Sequence, residues 1–241
     1  MVSRKERNEI NNVRRVTLRT PIFFIAIFAR NNLNSNPNSI FMSRKLERSV
    51  FGNEINKGNA PTTDEAMQLL NDWVKNDRLK LHMRQVAHVM KSWAAKKENL
   101  DEKDQHRWYI AGLLHDADWD QWPESHCRLI VEELERRNTD PEIIHAIASH
   151  GPNHFGVQPE STMDKMLYAI DELSGFIHAY SLMRPGGYEG MEPKGVKKRL
   201  KDKTFAAGVS REEITDACER AGIAVEELIE FIIENQKLVN V

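Results

Sequence analysis

The stretch Tyr109–Asp120, with the sequence YIAGLLHDADWD, decides how this chain is interpreted. It is an apolar helical run that ends in a histidine and an aspartate side by side, where hydrophobic spacing alone would favour more Leu or Ala. Burying such groups without partners costs roughly 2–7 kcal/mol for a neutral polar group and more for a charge. We therefore expect His115 and Asp116 to bind something; a helix that simply ends in a polar turn is the alternative.

The composition is that of a soluble globular protein. The chain has 241 residues, of which 40% are hydrophobic and 29% charged, enough for one large or two small domains. A net charge of −2 gives no reason to expect nucleic acid or a membrane surface as a partner. Cys127 and Cys218 form no C-x-x-C pattern, which argues against a disulfide scaffold and favours the reducing cytoplasm.

The first fifty residues differ from the rest. They hold ten Lys and Arg against three Asp and Glu, are rich in Asn, and sustain no helical or strand period. We therefore predict residues 1–60 to be a disordered or loosely attached extension. The apolar run at 21–29 is too short to span a bilayer. It has the length of a signal-peptide core, although no cleavage site is evident. A targeting or docking segment is therefore the alternative to a disordered extension.

From Pro61 onward, apolar spacings of three and four predict one helix after another. A capping box at 62–65 opens the first of them, and Pro141 stands in the first turn of another. The predicted helices lie at 66–74, 79–97, 101–116, 126–137, 141–150, 162–183, 193–201, 211–221 and 225–238. No convincing alternating strand occurs, so the predicted class is all-α. The last helix either covers the core or makes a homodimer contact.

Four ligand-type side chains fall on or beside the apolar faces of three of these helices. His82 borders the stripe of its helix, and Asp171 lies in the middle of a very apolar helix, where a carboxylate needs a partner. With His115 and Asp116 they form a set suited to Zn²⁺, Mn²⁺, Fe²⁺, Co²⁺ or Ni²⁺. Taken singly, each has a structural explanation, as a satisfied core histidine or a capping aspartate.

This order, a His, then His-Asp, then a distal Asp, each on its own helix, resembles the HD-domain superfamily of metal-dependent phosphohydrolases. The likeness runs from about 61 to 185, and the segments GLLHDADW at 112–119 and KMLYAIDELSGF at 165–176 look like a family of predicted, largely uncharacterised HD hydrolases. It implies an HD helical bundle at 61–185, with a C-terminal helical extension at 186–241 packed on it. The residues in the metal-ligand positions are His82, His115, Asp116 and Asp171.

The resemblance also implies the chemistry. A divalent ion (Mn, Co, Ni, Zn, Fe or Mg) would activate water for hydrolysis of a small phosphoester, with a nucleotide as one candidate. Asp118 and Asp120 are candidates for acid or base, although both could simply solvate a turn. Members of the superfamily with two metals carry extra histidines before the last Asp. We favour His126 and His150 for that role, or for contact with the scissile phosphate, and expect His145 at the surface.

An anionic substrate would need positive or polar groups near the site. Arg184, Lys197, Lys198 and His178 are the candidates, although a basic run is usually a solvated helix face and His178 could simply pack in the core. Two other functional classes stay open. One is a mixed-valent di-iron oxygenase, which iron content and oxygen uptake would identify. The other is a non-catalytic nucleotide-binding sensor, which the complete ligand set disfavours.

Overall fold

The structure, a computed structural model, describes residues 58–239. The predicted N-terminal extension, with its apolar run, therefore falls almost entirely outside the described residues. The described part contains ten α-helices and one short 3₁₀ turn at Pro123–Ser125, and no strand. The prediction of an all-α chain is confirmed. The helices are α1 (Thr63–Trp73), α2 (Asp77–Lys96), α3 (Glu102–Leu114), α4 (Arg128–Arg136), α5 (Pro141–Ser149), α6 (Pro152–Phe155), α7 (Thr162–Met183), α8 (Pro193–Leu200), α9 (Arg211–Ala221) and α10 (Val225–Gln236).

The helix starts follow the capping signals. The Thr62 side chain accepts the Glu65 N–H at 3.3 Å, while Glu65 accepts the Thr62 N–H at 2.8 Å, so the predicted capping box is present. Asp101 accepts the N–H of Asp104 at 2.9 Å and so caps α3. The Asp101 cap marks the start of α3, and His115 directly follows the last residue of that helix.

Helix α4 and helix α6 depart from the prediction. The fourth helix begins at Arg128 instead of His126, because Cys127 adopts a φ of 67°, which is incompatible with a helix. The four-residue α6 was not predicted, since so short a segment carries no periodic signal. His126 is therefore carried by a turn and His150 by the end of α5.

Helices α2 and α3 approach one another closely at Gly112. A Cβ atom built there would lie 2.8 Å from the Ala87 Cα and 2.9 Å from the Ala87 N, so only glycine fits. This contact brings the end of α3, which carries His115, against the helix that carries His82. Helix α7 packs against both α2 and α3 and supplies Asp171.

The C-terminal helices share the core of the bundle. Helices α9 and α10 pack against α7, and α10 also packs against α2. Ile232 is fully buried, and the Gln236 amide donates to the Ser174 carbonyl at 3.1 Å. The division of the chain into a bundle at 61–185 and an extension at 186–241 packed on it stays a prediction. Within residues 58–239, no helix has the length and apolar character needed to cross a membrane.

Candidate metal centre

Two histidines and two aspartates from three helices meet inside the bundle. His82 comes from α2, His115 and Asp116 from the C-terminal end of α3, and Asp171 from the middle of α7. Each is at most 5% exposed, and one ligand-type atom from each lies within 4.8 Å of the others. The structure therefore brings together the four side chains that the sequence put forward as metal ligands.

The distances inside this first cluster are those of atoms that can share an ion. His82 Nε2 lies 3.0 Å from Asp171 Oδ1, and His115 Nε2 lies 3.3 Å from the same oxygen. His115 Nε2 also lies 3.4 Å from Asp116 Oδ2. Metal–ligand bonds of about 2.0–2.2 Å place two ligands of one ion roughly 3–4 Å apart. The four side chains thus fit a divalent ion.

The orientation of His115 is fixed by its own helix. Its Nδ1–H donates to the Gly112 carbonyl at 2.9 Å, so the lone pair is on Nε2. That Nε2 atom is buried without a hydrogen-bond partner, although two carboxylates face it. An imidazole nitrogen that faces two buried carboxylate oxygens needs a positive charge there, which a proton on Nε2 or a bound cation can supply, so the position also suits a metal ion.

A second cluster shares Asp116 with the first. Asp116 Oδ1 lies 3.3 Å from His126 Nε2 and 3.4 Å from His150 Nε2. The ligand-type atoms of these three residues also lie within 4.8 Å of one another. His150 ends α5, and its Nδ1–H donates to the Ile147 carbonyl, which leaves Nε2 directed at Asp116. The two histidines favoured for a second metal therefore lie with Asp116, which faces both clusters with different oxygens.

The charges of these groups are strongly coupled. Burial would raise the pKa of Asp116, but His115, His150 and His126 outweigh it and hold that pKa well below its usual value. Burial would likewise raise the pKa of Asp171, and His115 and His82 hold it low. Burial would lower the pKa of His115, yet the two aspartates keep it well above the ordinary value. Without an ion, protonated imidazole supplies the positive charge that two buried carboxylates require.

Aromatic side chains border the second cluster. The ring centroid of Trp119 lies 4.9 Å from that of His126, and the Phe155 ring lies 5.1 Å from His126 and 5.3 Å from His150. Both aromatic side chains are partly exposed, whereas the histidines are buried. Phe155 belongs to the unpredicted α6, and no sequence signal indicates its position. These rings lower the local polarity and so strengthen electrostatic interactions at the cluster.

The carboxylates of Asp118 and Asp120 accept hydrogen bonds from protein N–H groups. Asp118 is fully buried and accepts hydrogen bonds from His126 Nδ1 and from two backbone N–H groups, those of Cys127 and Ile130. Asp120 Oδ2 accepts the backbone N–H of Lys75 and that of Asn76, in the connection between α1 and α2. Their catalytic assignment stays a prediction, and the structure gives both carboxylates positions that organise the chain.

The candidate substrate-binding residues lie outside both clusters. Arg184 donates to the carbonyls of Gly187 and Gly190 and so holds the loop after α7. His178 Nδ1 lies 2.9 Å from the Tyr188 hydroxyl. Two further candidates are on α8, where Lys197 pairs with Glu226 at 2.6 Å and Lys198 is exposed. Their role in binding a substrate stays a prediction.

The expectation that His145 lies at the surface was wrong. It is 7% exposed, and its Nδ1–H donates to Asp164 Oδ2 at 2.8 Å. Helical periodicity predicts one buried face, but α5 is surrounded by α3, α4 and α7 and is buried on nearly every side. His145 therefore ties α5 to the start of α7.

Comparison with known proteins agrees with this geometry. Residues 81–175 match a family model described as HD domain, and this segment contains all six residues of the two clusters. Neither the curated proteins nor the solved structures contain a match to the chain. The sequence match and the buried His-Asp cluster support the same assignment. Residues 81–175 of this chain are therefore a domain of the HD family, whose members are in general metal-dependent hydrolases.

Proposed function

We propose that this protein hydrolyses a small phosphoester with the help of two divalent ions. The observation that carries the proposal is the position of Asp116. Its Oδ2 faces His115 in the first cluster, and its Oδ1 faces His126 and His150 in the second. One carboxylate shared by two sets of buried ligands is a geometry suited to a pair of neighbouring ions.

The donor set fits several metals. His82, His115 and Asp171 complete the first site, and His126 and His150 complete the second, each with Asp116. Imidazole and carboxylate ligands suit Zn²⁺, Mn²⁺, Fe²⁺, Co²⁺ and Ni²⁺. Ions bound there would supply Lewis acidity towards a phosphoryl oxygen and towards water. Mg²⁺, which prefers oxygen ligands, fits this histidine-rich set less well.

The protein groups around the site prepare it for this role. The ring orientations of His115 and His150 are set by hydrogen bonds from Nδ1 to carbonyls of their own helices, so the ligand atoms need no rearrangement. The side chains of both clusters are at most 7% exposed, which keeps competing water away. Trp119 and Phe155 add an apolar border next to His126.

A phosphoester is the substrate class that this arrangement favours. Two adjacent ions can stabilise both the attacking and the leaving oxygen of an in-line displacement at phosphorus. The same histidine-rich pair of sites also suits two irons, so an oxygenase is the competing function. Nothing in the contacts selects a nucleotide over another small phosphoester.

The test is a phosphoester panel on protein loaded separately with Mn²⁺, Co²⁺, Ni²⁺, Zn²⁺ and Fe²⁺. We expect at least one loaded form to release phosphate, and Asp116→Ala to lose both the activity and the bound metal. Asp72→Ala, at an exposed position on α1, is the matched control and should keep both. The proposal fails if nothing in the panel is cleaved while Asp116→Ala binds metal as well as the parent. Oxygen uptake by the iron form without phosphate release would identify the oxygenase instead.

A further inference from the structure

Asp118 is a fully buried carboxylate whose two oxygens accept three N–H groups. Oδ1 accepts from His126 Nδ1 at 2.8 Å and from the Cys127 N–H at 3.2 Å, and Oδ2 accepts the Ile130 N–H at 3.0 Å. Three donors on two oxygens fix the carboxylate in one orientation. The only side chain among these donors is His126, which belongs to the second cluster.

The bond to Asp118 decides which nitrogen of His126 can bind a metal. Because Nδ1 donates its proton to the carboxylate, the lone pair of the neutral ring is on Nε2. Nε2 is buried without a hydrogen-bond partner and lies 3.3 Å from Asp116 Oδ1. His126 is thus directed at the oxygen that the second cluster uses.

His126 differs from the other histidines in how it is held. His115 and His150 each donate from Nδ1 to the carbonyl three residues earlier, at Gly112 and Ile147, so their own helices orient them. His126 follows the 3₁₀ turn, and there the carbonyl three residues earlier, that of Pro123, accepts the backbone N–H of His126 at 3.2 Å, while Nδ1 bonds to Asp118. Asp118 takes over that function, and a carboxylate makes a ligating imidazole more basic than a carbonyl does.

The backbone beside His126 is strained in the same place. Cys127 has a φ of 67° and a ψ of −35°, a conformation that residues with a side chain rarely adopt. Asp118 binds the N–H of this residue with the same oxygen that binds His126. The strained turn and the ring orientation are therefore held by one carboxylate oxygen.

We propose that Asp118 is a positioning residue that sets the affinity of the second ion, the one held by Asp116, His126 and His150, and leaves the first ion unaffected. The inference rests on the proposed function only in requiring a second ion. Removal of such a supporting carboxylate typically weakens metal binding about 10–100-fold. We expect a loss of that size for the second ion alone.

The experiment uses the full chain with Mn²⁺ as the probe and compares the parent with Asp118→Asn. Isothermal titration gives the number and affinity of bound ions, and electron paramagnetic resonance shows whether two Mn²⁺ ions are magnetically coupled. We expect two coupled ions in the parent. In the variant we expect one ion of unchanged affinity, a second bound about 10–100-fold more weakly, and loss of the coupled signal.

Asp164→Asn is a matched control. Asp164 is also a buried aspartate that accepts a histidine Nδ1–H, from His145 at 2.8 Å, and two backbone N–H groups, those of Glu160 and Ser161. It belongs to neither cluster. Its substitution should therefore lower stability without changing either Mn²⁺ affinity.

A second measurement needs no metal. In the chelated parent protein at mildly alkaline pH, nitrogen-15 spectra should show the His126 proton on Nδ1. In Asp118→Asn it should move in part to Nε2, a change that mere loss of stability would not cause. A proton on Nε2 in the parent, or unchanged affinity for the second ion in Asp118→Asn, overturns the inference.

These outcomes separate this inference from the proposed function. If no phosphoester is cleaved but Asp118→Asn still loses the second ion selectively, the positioning role stands and the proposed reaction fails. If phosphate is released by a parent protein that binds a single ion, hydrolysis stands and the role of Asp118 is overturned.

Discussion

His82 and Asp171 are 89 positions apart in the sequence, yet His82 Nε2 and Asp171 Oδ1 lie 3.0 Å apart where α2 meets α7. The two residues join α2 and α7 to the first cluster, which His115 and Asp116 complete from the end of α3. An ion bound between them would link two helices of the core, so that metal binding adds directly to the stability of the fold.

Divalent ions should therefore raise the melting temperature of the parent protein, and Asp171→Ala should abolish most of this gain. An ion at a concentration 100 times its Kd stabilises a protein by about 2.7 kcal/mol. Thermal unfolding with Zn²⁺ or Mn²⁺ and with a chelator measures the difference, and Asp72→Asn should respond as the parent does. An equal metal-induced gain in Asp171→Ala would show that the ion binds elsewhere.

Gly112→Ala should destabilise the protein by about 1–3 kcal/mol, the usual cost of overpacking a core. The added methyl would meet the backbone of Ala87 at 2.8 Å, and backbone cannot move aside as a flexible side chain does. Metal affinity should fall as well, because the Gly112 carbonyl orients His115. Urea unfolding measures the stability. Gly186→Ala, whose Cβ would have no neighbour closer than 3.5 Å, should stay close to the parent. Wild-type stability in Gly112→Ala would mean that α2 and α3 are not in contact at this point.

The stability of the chelated protein should decrease as the pH falls from about 6.5 to about 4. Burial, with smaller contributions from His82 and Arg78, lowers the pKa of His178 from 6.5 to about 4. In that range the unfolded chain binds a proton at His178 and the folded chain does not. The contribution of neutral His178 to the free energy of unfolding is therefore complete above pH 6.5 and is lost progressively as the pH falls towards 4. One such proton changes the free energy of unfolding by at most about 1.4 kcal/mol per pH unit.

The measurement for His178 is urea unfolding at several pH values. His178→Gln should show a smaller pH dependence than the parent across this range, whereas His106→Gln, at a half-buried site on α3, should keep the dependence of the parent. Identical pH dependence in the parent and in His178→Gln would exclude the buried neutral histidine as its source.

Ile232→Ala should destabilise the whole bundle by about 2–5 kcal/mol, as for other fully buried isoleucines. Because α10 packs against α2 and α7, unfolding should remain a single transition by circular dichroism and by tryptophan fluorescence. Leu238→Ala, at a position 60% exposed, should change stability little. Separate transitions would mean that the C-terminal helices form an independent unit.

The sequence was sufficient for the parts of the structure that depend on local rules. Capping residues and apolar spacing predicted the start of α3 at Asp101 and of α5 near Pro141 to within a residue or two. The four side chains of the first cluster could be selected because each is polar in an apolar helix. Their proximity could be expected from the family resemblance, since periodicity alone does not say which helices are neighbours.

The sequence was not sufficient where a contact between distant segments decides the outcome. Nothing local marks Cys127 for a positive φ, which Gly or Asn would have signalled. The burial of His145 follows from helices on several sides of α5. The three bonds of Asp118 depend on how the turn folds back from α3 to α4, so its carboxylate could not be distinguished from a solvated one.

The turn that carries His126 has a consequence for the lifetimes of the two sites. His82 and Asp171 lie within long helices of the core, so exposing them requires global unfolding, whereas His126 lies in a connection that can open locally at a smaller free-energy cost. The amide protons of Cys127 and Ile130, bound to Asp118, would then exchange with solvent faster than those in the middle of α7. An ion at His126 would leave through this opening while the other stayed in place, so one ion would exchange with solvent and the other would be retained for as long as the protein is folded.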